Sequence, residues 1–511
     1  MSFVECMIDP MTLVAIAPTT LQLLLPLPSS TVFSPILASA PDADQGPFVL
    51  AGVLLSLIVV YLAAKIFGEL CSRINLPPVL GELVGGVIVG VSVLRLIVFP
   101  HSVGEGGESL IVNFMQMTAG LPPEAAAGVF EAQSEVISVL SELGVILLLF
   151  EIGLESDLKE LIRVGPQAAI VAVVGVVAPF ALGTAGLIAL FHVPTIPAVF
   201  AGAALTATSI GITAKVLAEL QQLGSKEGQI IIGAAVLDDV LGIIVLAVVA
   251  SLAKTGEIDV FNILYLVAGA AAFLIGAIFI GRLLSPYFVA LVERMQTRGE
   301  LILSALVFAF ALSYIAAAIQ LEAILGAFAA GLILAETDKR EELEEKVIPI
   351  ADMLVPVFFV VVGAGTDLSV LNPATPANRE GLIMATFLLA IAIIGKVITG
   401  FTIFGQGSIN RLAIGVGMIP RGEVGLVFAG VGSASGVLSD SLEAAIIVMV
   451  IMTTFLAPPF LRVVFQPEAK GSPLPGEAPS AALEGANGQT FSPDEPNPKN
   501  VENLESVQDR S

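Results

Sequence analysis

Asp238 and Asp239 stand together in the middle of an otherwise apolar run, 233–242. A charged side chain at the centre of a bilayer costs roughly 2.5–3.5 kcal/mol on insertion scales, so two in succession need a compensating role. Consecutive helical residues point about 100° apart, so the two carboxylates cannot both face one partner. One is expected to balance a buried cation, leaving the other for a transported ion. Adjacent carboxylates in a low dielectric resist joint ionisation and titrate as a coupled pair. Such a pair can exchange a proton for a cation. Carboxylate, hydroxyl and carbonyl oxygens are also the hard ligands that sodium accepts.

Further chemistry-bearing residues lie in comparable surroundings. Lys396 sits between Gly395 and Val397 inside another apolar run, and Arg421 and Glu423 follow Pro420. Lys396 is the expected partner of Asp238. The alternative, a purely structural salt bridge, leaves the role of Asp239 intact. Arg421 and Glu423 are expected to compensate charge at half-helix ends. The stretch 206–213 holds Thr206, Thr208, Ser209, Gly211 and Thr213, a poor composition for an unbroken apolar helix. Thr206, Thr208 and Ser209 are the expected oxygen ligands beside Asp239. Glu69, Glu82, Glu142, Glu151, Glu155, Glu322 and Glu336 sit near helix ends or on amphipathic faces and read as interfacial carboxylates.

These residues must be positioned by membrane-spanning elements. Of 511 residues, 56% are hydrophobic and 13% charged, against about 25% charged in soluble domains. A mean hydropathy of +0.95 excludes a water-exposed fold, which would present large apolar patches. About thirteen apolar segments have the length of a span or most of one. They lie near 48–68, 77–97, 136–154, 166–190, 195–221, 227–252, 261–284, 300–320, 322–335, 350–365, 381–404, 409–433 and 439–463. The fifth and twelfth carry the interruptions. Pro420 removes a backbone donor and Gly422 loosens the next turn. Freed backbone groups inside a bilayer need protein or a watery cavity, and half-helix ends carry partial charges.

Two motifs recur. Leu80-Gly81 followed by Gly86 matches Leu325-Gly326 followed by Gly331, and the run Gly153 to Leu158 matches Gly363 to Leu368. The copies lie seven segments apart. An odd offset in an alternating topology makes them inverted repeats, a common plan of secondary transporters with the substrate site near the midplane. Segments one to six would pair with eight to thirteen, leaving the seventh as linker.

Basic residues set the orientation. Lys65, Arg73, Lys159, Arg163, Lys215, Lys226, Arg282, Arg294, Arg298, Lys339, Arg340, Lys346, Arg411 and Arg462 fall on one side, and Arg95, Lys254 and Arg379 on the other. The N-terminus is therefore expected outside and the C-terminus in the cytoplasm. Residues 1–46 form a proline-rich extension, signal-like or interfacial, in which Ala38-Ser39-Ala40 resembles a cleavage site but no basic residue precedes Lys65. Residues 47–465 form the transmembrane unit. The tail, 466–511, has the composition of a disordered segment and no room for a nucleotide-binding domain. Cys6 and Cys71 form no motif.

Together the run Pro77 to Glu82, the hydroxyl-rich break at Thr206–Thr213, Leu237-Asp238-Asp239, Gly395-Lys396 and Pro420-Arg421-Gly422-Glu423 resemble the monovalent cation:proton antiporter 2 family over about 48–463. The resemblance implies an all-α membrane protein of about thirteen helices with two broken, crossing helices. It also implies a homodimer in which core helices, 166–252 and 381–463, move against a dimerisation domain. Asp239 would bind sodium or a proton and Asp238 would pair with Lys396. Sodium, with potassium or lithium as alternatives, and protons are the expected partners, within a lipid bilayer. No cofactor, enzymatic activity or nucleic-acid contact is expected. A cell membrane is the first expectation for location and an internal energised membrane such as the thylakoid the second. A potassium/proton antiporter, an ion-coupled symporter and a channel are the competing readings. An intramembrane aspartyl protease would need two aspartates on separate facing helices.

Overall fold

In a computed structural model of the chain, the described residues are 45–100, 109–255, 260–374, 376–403 and 409–465. The acidic tail and nearly all of the N-terminal extension lie outside them. The described residues form helices joined by turns and short non-helical stretches, without strands. In chain order the helices are α1 (Gly46–Arg73), α2 (Pro78–Val89), α3 (Leu110–Thr118), α4 (Pro123–Glu155), α5 (Leu158–Arg163), α6 (Gly165–Phe191), α7 (Thr195–Ala204), α8 (Ile210–Glu219) and α9 (Lys226–Thr255). There follow α10 (Val260–Arg294), α11 (Glu300–Ala318), α12 (Ala323–Leu334), α13 (Arg340–Ala364), α14 (Pro376–Gly400), α15 (Arg411–Gly417), α16 (Glu423–Ala434) and α17 (Asp440–Phe465). Among the described residues, eight helices are long and apolar enough to cross a membrane, and shorter apolar helices such as α2, α7 and α12 lie between them. The outer face of α1 carries Leu50, Leu54, Ile58, Leu62, Ile66 and Leu70, all exposed and four residues apart. Such an apolar row suits lipid or another apolar surface.

The helices pack as two bundles. In the first, α2 lies against α1 and α13, α12 lies against α11 and α4, and α4 lies against α13. In the second, α9 lies against α6, α14 against α6 and α17, α7 against α6 and α16, and α15 against α14 and α17. Helix α8 touches α2 and α4 across the boundary.

The inverted repeat is visible atom by atom. A Cβ on Gly81 would meet the backbone at Phe67, and one on Gly326 would meet it at Leu312, so α2 crosses α1 as α12 crosses α11. Gly86 on α2 packs on Gly363 of α13, whereas Gly331 on α12 packs on Gly153 of α4. The turn before each short helix is made by a residue in the left-handed region, Asn75 (φ 59) and Gln320 (φ 65). Asp157 accepts hydrogen bonds from Lys159 N and Glu160 N, and its counterpart Asp367 accepts one from Ser369 N. These caps explain why an aspartate recurs at both places.

Several boundaries differ from the hydropathy reading. The second segment stops at Val89, not 97, because Gly90 packs on Ala364 and the chain folds back, Leu94 N bonding Ile88 O. The third begins at Pro123, where a proline fits a first helical turn. The tenth begins at Arg340, since its first turns are charged and held by Arg340–Glu344 at 2.8 Å and Glu342–Lys346 at 2.6 Å. Apolarity cannot reveal a helical turn stabilised by ion pairs.

Candidate functional site

The fifth and twelfth segments are each two half-helices. Helix α7 ends at Ala204 and α8 begins at Ile210, while α15 ends at Gly417 and α16 begins at Glu423. The two non-helical stretches, 205–209 and 418–422, run past each other and bond to each other. Ser209 N donates to Pro420 O at 2.8 Å. Thr208 Oγ1 donates to Met418 O at 3.2 Å, and Thr213 Oγ1 to Gly417 O at 3.0 Å. Each break thus satisfies backbone groups freed by the other, as a bilayer interior requires. Gly422 is needed for the approach, because a Cβ there would lie 2.8 Å from Ser209 Oγ.

Three charged side chains are fully buried at this crossing: Asp238, Lys396 and Arg421. Lys396 Nζ donates to Asp238 Oδ2 at 3.0 Å and to Thr206 O at 2.7 Å. Arg421 Nη1 donates to Thr206 O at 3.1 Å and to Ala207 O. Both cations therefore meet carbonyls just past the C-terminal end of α7, where the helix dipole is negative. The Lys396 stem passes Gly175 of α6, whose missing side chain leaves it room. Thr454 Oγ1 on α17 donates to Arg421 O at 2.5 Å, tying the break to its neighbour.

Asp239, the next residue on α9, is 3% exposed. It lines a small cavity with Thr208, Ser209, Ile210, Gly422 and Glu322. The cavity has room for about one water molecule or a bare monovalent cation. A wider cleft of about 480 Å³ between the bundles is lined by Ser138, Thr366, Asp367, Gly422 and Thr454. Gly422 belongs to the walls of both. No three His, Cys, Asp or Glu side chains converge among the described residues as a resident metal site would need.

The residues singled out from sequence sort unevenly. Asp239, Thr208 and Ser209 share the cavity, and Asp238 and Lys396 form the adjoining pair. Thr206 does not line the cavity. Its hydroxyl donates to Ala203 O at 2.8 Å, and it is its carbonyl that serves the buried cations. Glu423 is the first residue of α16, and its side chain lies outside the described residues. Sequence reasoning missed Glu322, set aside as an interfacial carboxylate, and the carbonyls of Thr206 and Ala207. No residue type signals a carbonyl ligand. Glu322 was signalled by its place at the start of a repeated short helix.

Inverted repeats, two crossed broken helices and buried carboxylates at the crossing define a multi-pass membrane transporter of the antiporter type. The family model "Sodium/hydrogen exchanger, transmembrane" matches residues 49–466, and the chain belongs to that family. It is 68% identical over 447 residues to the high-affinity Na(+)/H(+) antiporter NhaS3 of Synechocystis, covering 86% of this chain and 97% of that one. It is 32% identical over 412 residues to the Na(+)/H(+)-K(+) antiporter GerN of Bacillus cereus, covering 80% and 95%. The sodium proton antiporter MjNhaP1 of Methanocaldococcus jannaschii superposes with a TM-score of 0.53 at 17% identity, covering 81% of this chain and 96% of that one. That last likeness concerns the fold.

Proposed function

We propose that this protein exchanges sodium for protons across an energised membrane by alternating access, with Asp239 as the exchange site. The observation that carries the reading is the cavity beside Asp239, sized for one small particle and lined by Asp239, Glu322, Thr208 and Ser209. In this reading Asp239 is ionised when it binds sodium. The second bundle then moves and presents the site to the other side, where protonation displaces the ion. Asp238 is held by Lys396 and keeps the crossing neutral, while Arg421 and Glu423 compensate the half-helix ends. Thr208 and Ser209 supply oxygens to the ion, and the Thr206 carbonyl supports the cations instead.

Potassium is the second reading for the cargo, favoured by the potassium named for GerN. The moving unit is the core, 166–252 with 381–463, and the first bundle is the static unit of a homodimer in a lipid bilayer. The apolar row on α1 is compatible with both surroundings. The N-terminus faces outside and the C-terminus the cytoplasm, in a cell membrane or an internal energised one.

Reconstitution in liposomes with an imposed pH gradient tests this. Sodium, potassium and lithium are added in turn while internal pH is followed. Sodium-dependent proton movement that is lost in Asp239→Asn supports the proposal. An Asp239→Asn variant that exchanges like its parent sinks it.

A further inference from the structure

Glu322 is the one carboxylate of the first bundle that lines the Asp239 cavity among the described residues. It precedes α12, directly before Ala323, and is half-buried. Across the cavity stand Asp239 on α9 and the Thr208-Ser209 break. The cavity therefore lies between the two bundles, with a carboxylate on each wall. Two carboxylates facing one small space favour a cation between them, through the same attraction that makes them hard-cation ligands.

The repeat makes this arrangement one-sided. The counterpart of α12 is α2, and both are 12 residues long. The residue before α2, in the position of Glu322, is Pro77, which has no side-chain oxygen. In an inverted-repeat transporter the two halves exchange roles when access alternates. The second bundle then leaves the start of α12 and moves relative to α2, which offers Pro77 in the position of Glu322. The cleft that shares Gly422 with the cavity is lined at its other end by Thr366 and Asp367, just past the C-terminus of α13. By chain alternation that end and the start of α12 belong to the same face of the membrane, opposite Lys339 and Arg340.

From this we infer that Glu322 is a second ligand for the cation held by Asp239, present in the orientation that opens toward the α12 start and absent in the other. The inference rests on the exchange reading above. Asp239 travels with the cation, whereas Glu322 stays with the first bundle and raises sodium affinity on one face. The transporter is then asymmetric in sodium affinity although its fold is symmetric.

The test is sodium-driven proton movement in proteoliposomes of defined orientation, with the sodium KM measured from each face for the parent, Glu322→Gln, Glu322→Asp and Asp239→Asn. Loss of one charge-assisted contact raises KM by about tenfold on the face toward the α12 start in Glu322→Gln, with the other face changed by less than about twofold. Glu322→Asp, which keeps the charge, recovers part of that one-sided rise. Equal KM changes on both faces, no change on either, or complete loss in both Glu322 variants overturns the inference. Loss in Asp239→Asn alongside any of these leaves the exchange reading standing, so the two fail separately. A parent without exchange overturns both.

Discussion

Lys396 and Arg421 converge on a single acceptor, the carbonyl oxygen of Thr206, at 2.7 Å and 3.1 Å. Like charges so placed repel, and the arrangement holds because each has a second acceptor. Lys396 meets Asp238 and Arg421 meets the Ala207 carbonyl. The break after α7 is thus tied to the second break through Arg421 and to α14 through Lys396, which also holds α9 at Asp238.

Arg421 should be replaceable by nothing smaller. Its Nη1 reaches two successive carbonyls from the end of a side chain longer than that of lysine. Arg421→Lys is expected to lose one of these contacts, and Arg421→Ala both. Hydrogen bonds to charged groups contribute about 1.5–3 kcal/mol, so thermal unfolding in detergent should fall in the order parent, Lys, Ala. An Arg421→Ala protein as stable as its parent contradicts this role.

The Asp238–Lys396 pair should show strong coupling. Removing one partner of a buried pair leaves an uncompensated charge and costs about 3–5 kcal/mol, whereas replacing both is often close to neutral. Asp238→Asn and Lys396→Met are each expected to destabilise the protein, and the double variant to recover most of the loss. The double variant should still exchange sodium for protons, with less charge moved per cycle if either group carries an extra proton. A double-mutant cycle on unfolding temperature, with current measured in the same liposomes, checks both. Loss of all sodium binding in the double variant would contradict the division of labour between the aspartates.

Much of this site was legible in the sequence because hydrocarbon makes charge conspicuous. Asp238, Asp239, Lys396 and Arg421 stood out as residues too expensive to be buried without a partner, and Pro420 and the hydroxyl run marked the breaks. Hydropathy also located the helices, though it missed charged turns such as Arg340–Lys346 and overran at Gly90. Carbonyl ligands stayed hidden, because the chemistry belongs to the backbone and any residue can supply it. Glu322 stayed hidden for a different reason. Near a helix end a carboxylate looks solvated, and only the packing of α12 against its neighbours brings that end to the ion cavity.

The glycine pairs predict matched damage in the two halves. A Cβ on Gly86 would run into Val360 O and one on Gly331 into Phe150 O, at corresponding crossings of the repeat. Gly86→Ala and Gly331→Ala should each destabilise by about 1–3 kcal/mol, the usual cost of forcing atoms into a packed contact. Gly430, with nothing near its Cβ position, is the control. Gly430→Ala should match or exceed the parent in thermal unfolding, since alanine favours a helix by about 1 kcal/mol over glycine. A Gly331→Ala variant no less stable than Gly430→Ala would show that the crossing can open at little cost.

Glu219 joins the bundles at the opposite end of α8 from the ion cavity. Its Oε1 accepts a hydrogen bond from Val79 N at 3.3 Å, in the first turn of α2. That helix begins on Pro77 and Pro78 and has no side-chain cap of its own. A carboxylate at a helix N-terminus contributes typically 0.3–1 kcal/mol, and up to about 2 kcal/mol when partly buried. Because α8 and α2 sit in different bundles, any motion between the bundles changes this contact, and its strength weights the conformation that makes it. Glu219→Leu removes the acceptor and should shift the population away from that conformation by a few-fold. Spin labels placed on α2 and α8, away from the contact, should then report a wider distance distribution than in the parent. An unchanged distribution means that Glu219 does no more than fill a gap at the start of α2.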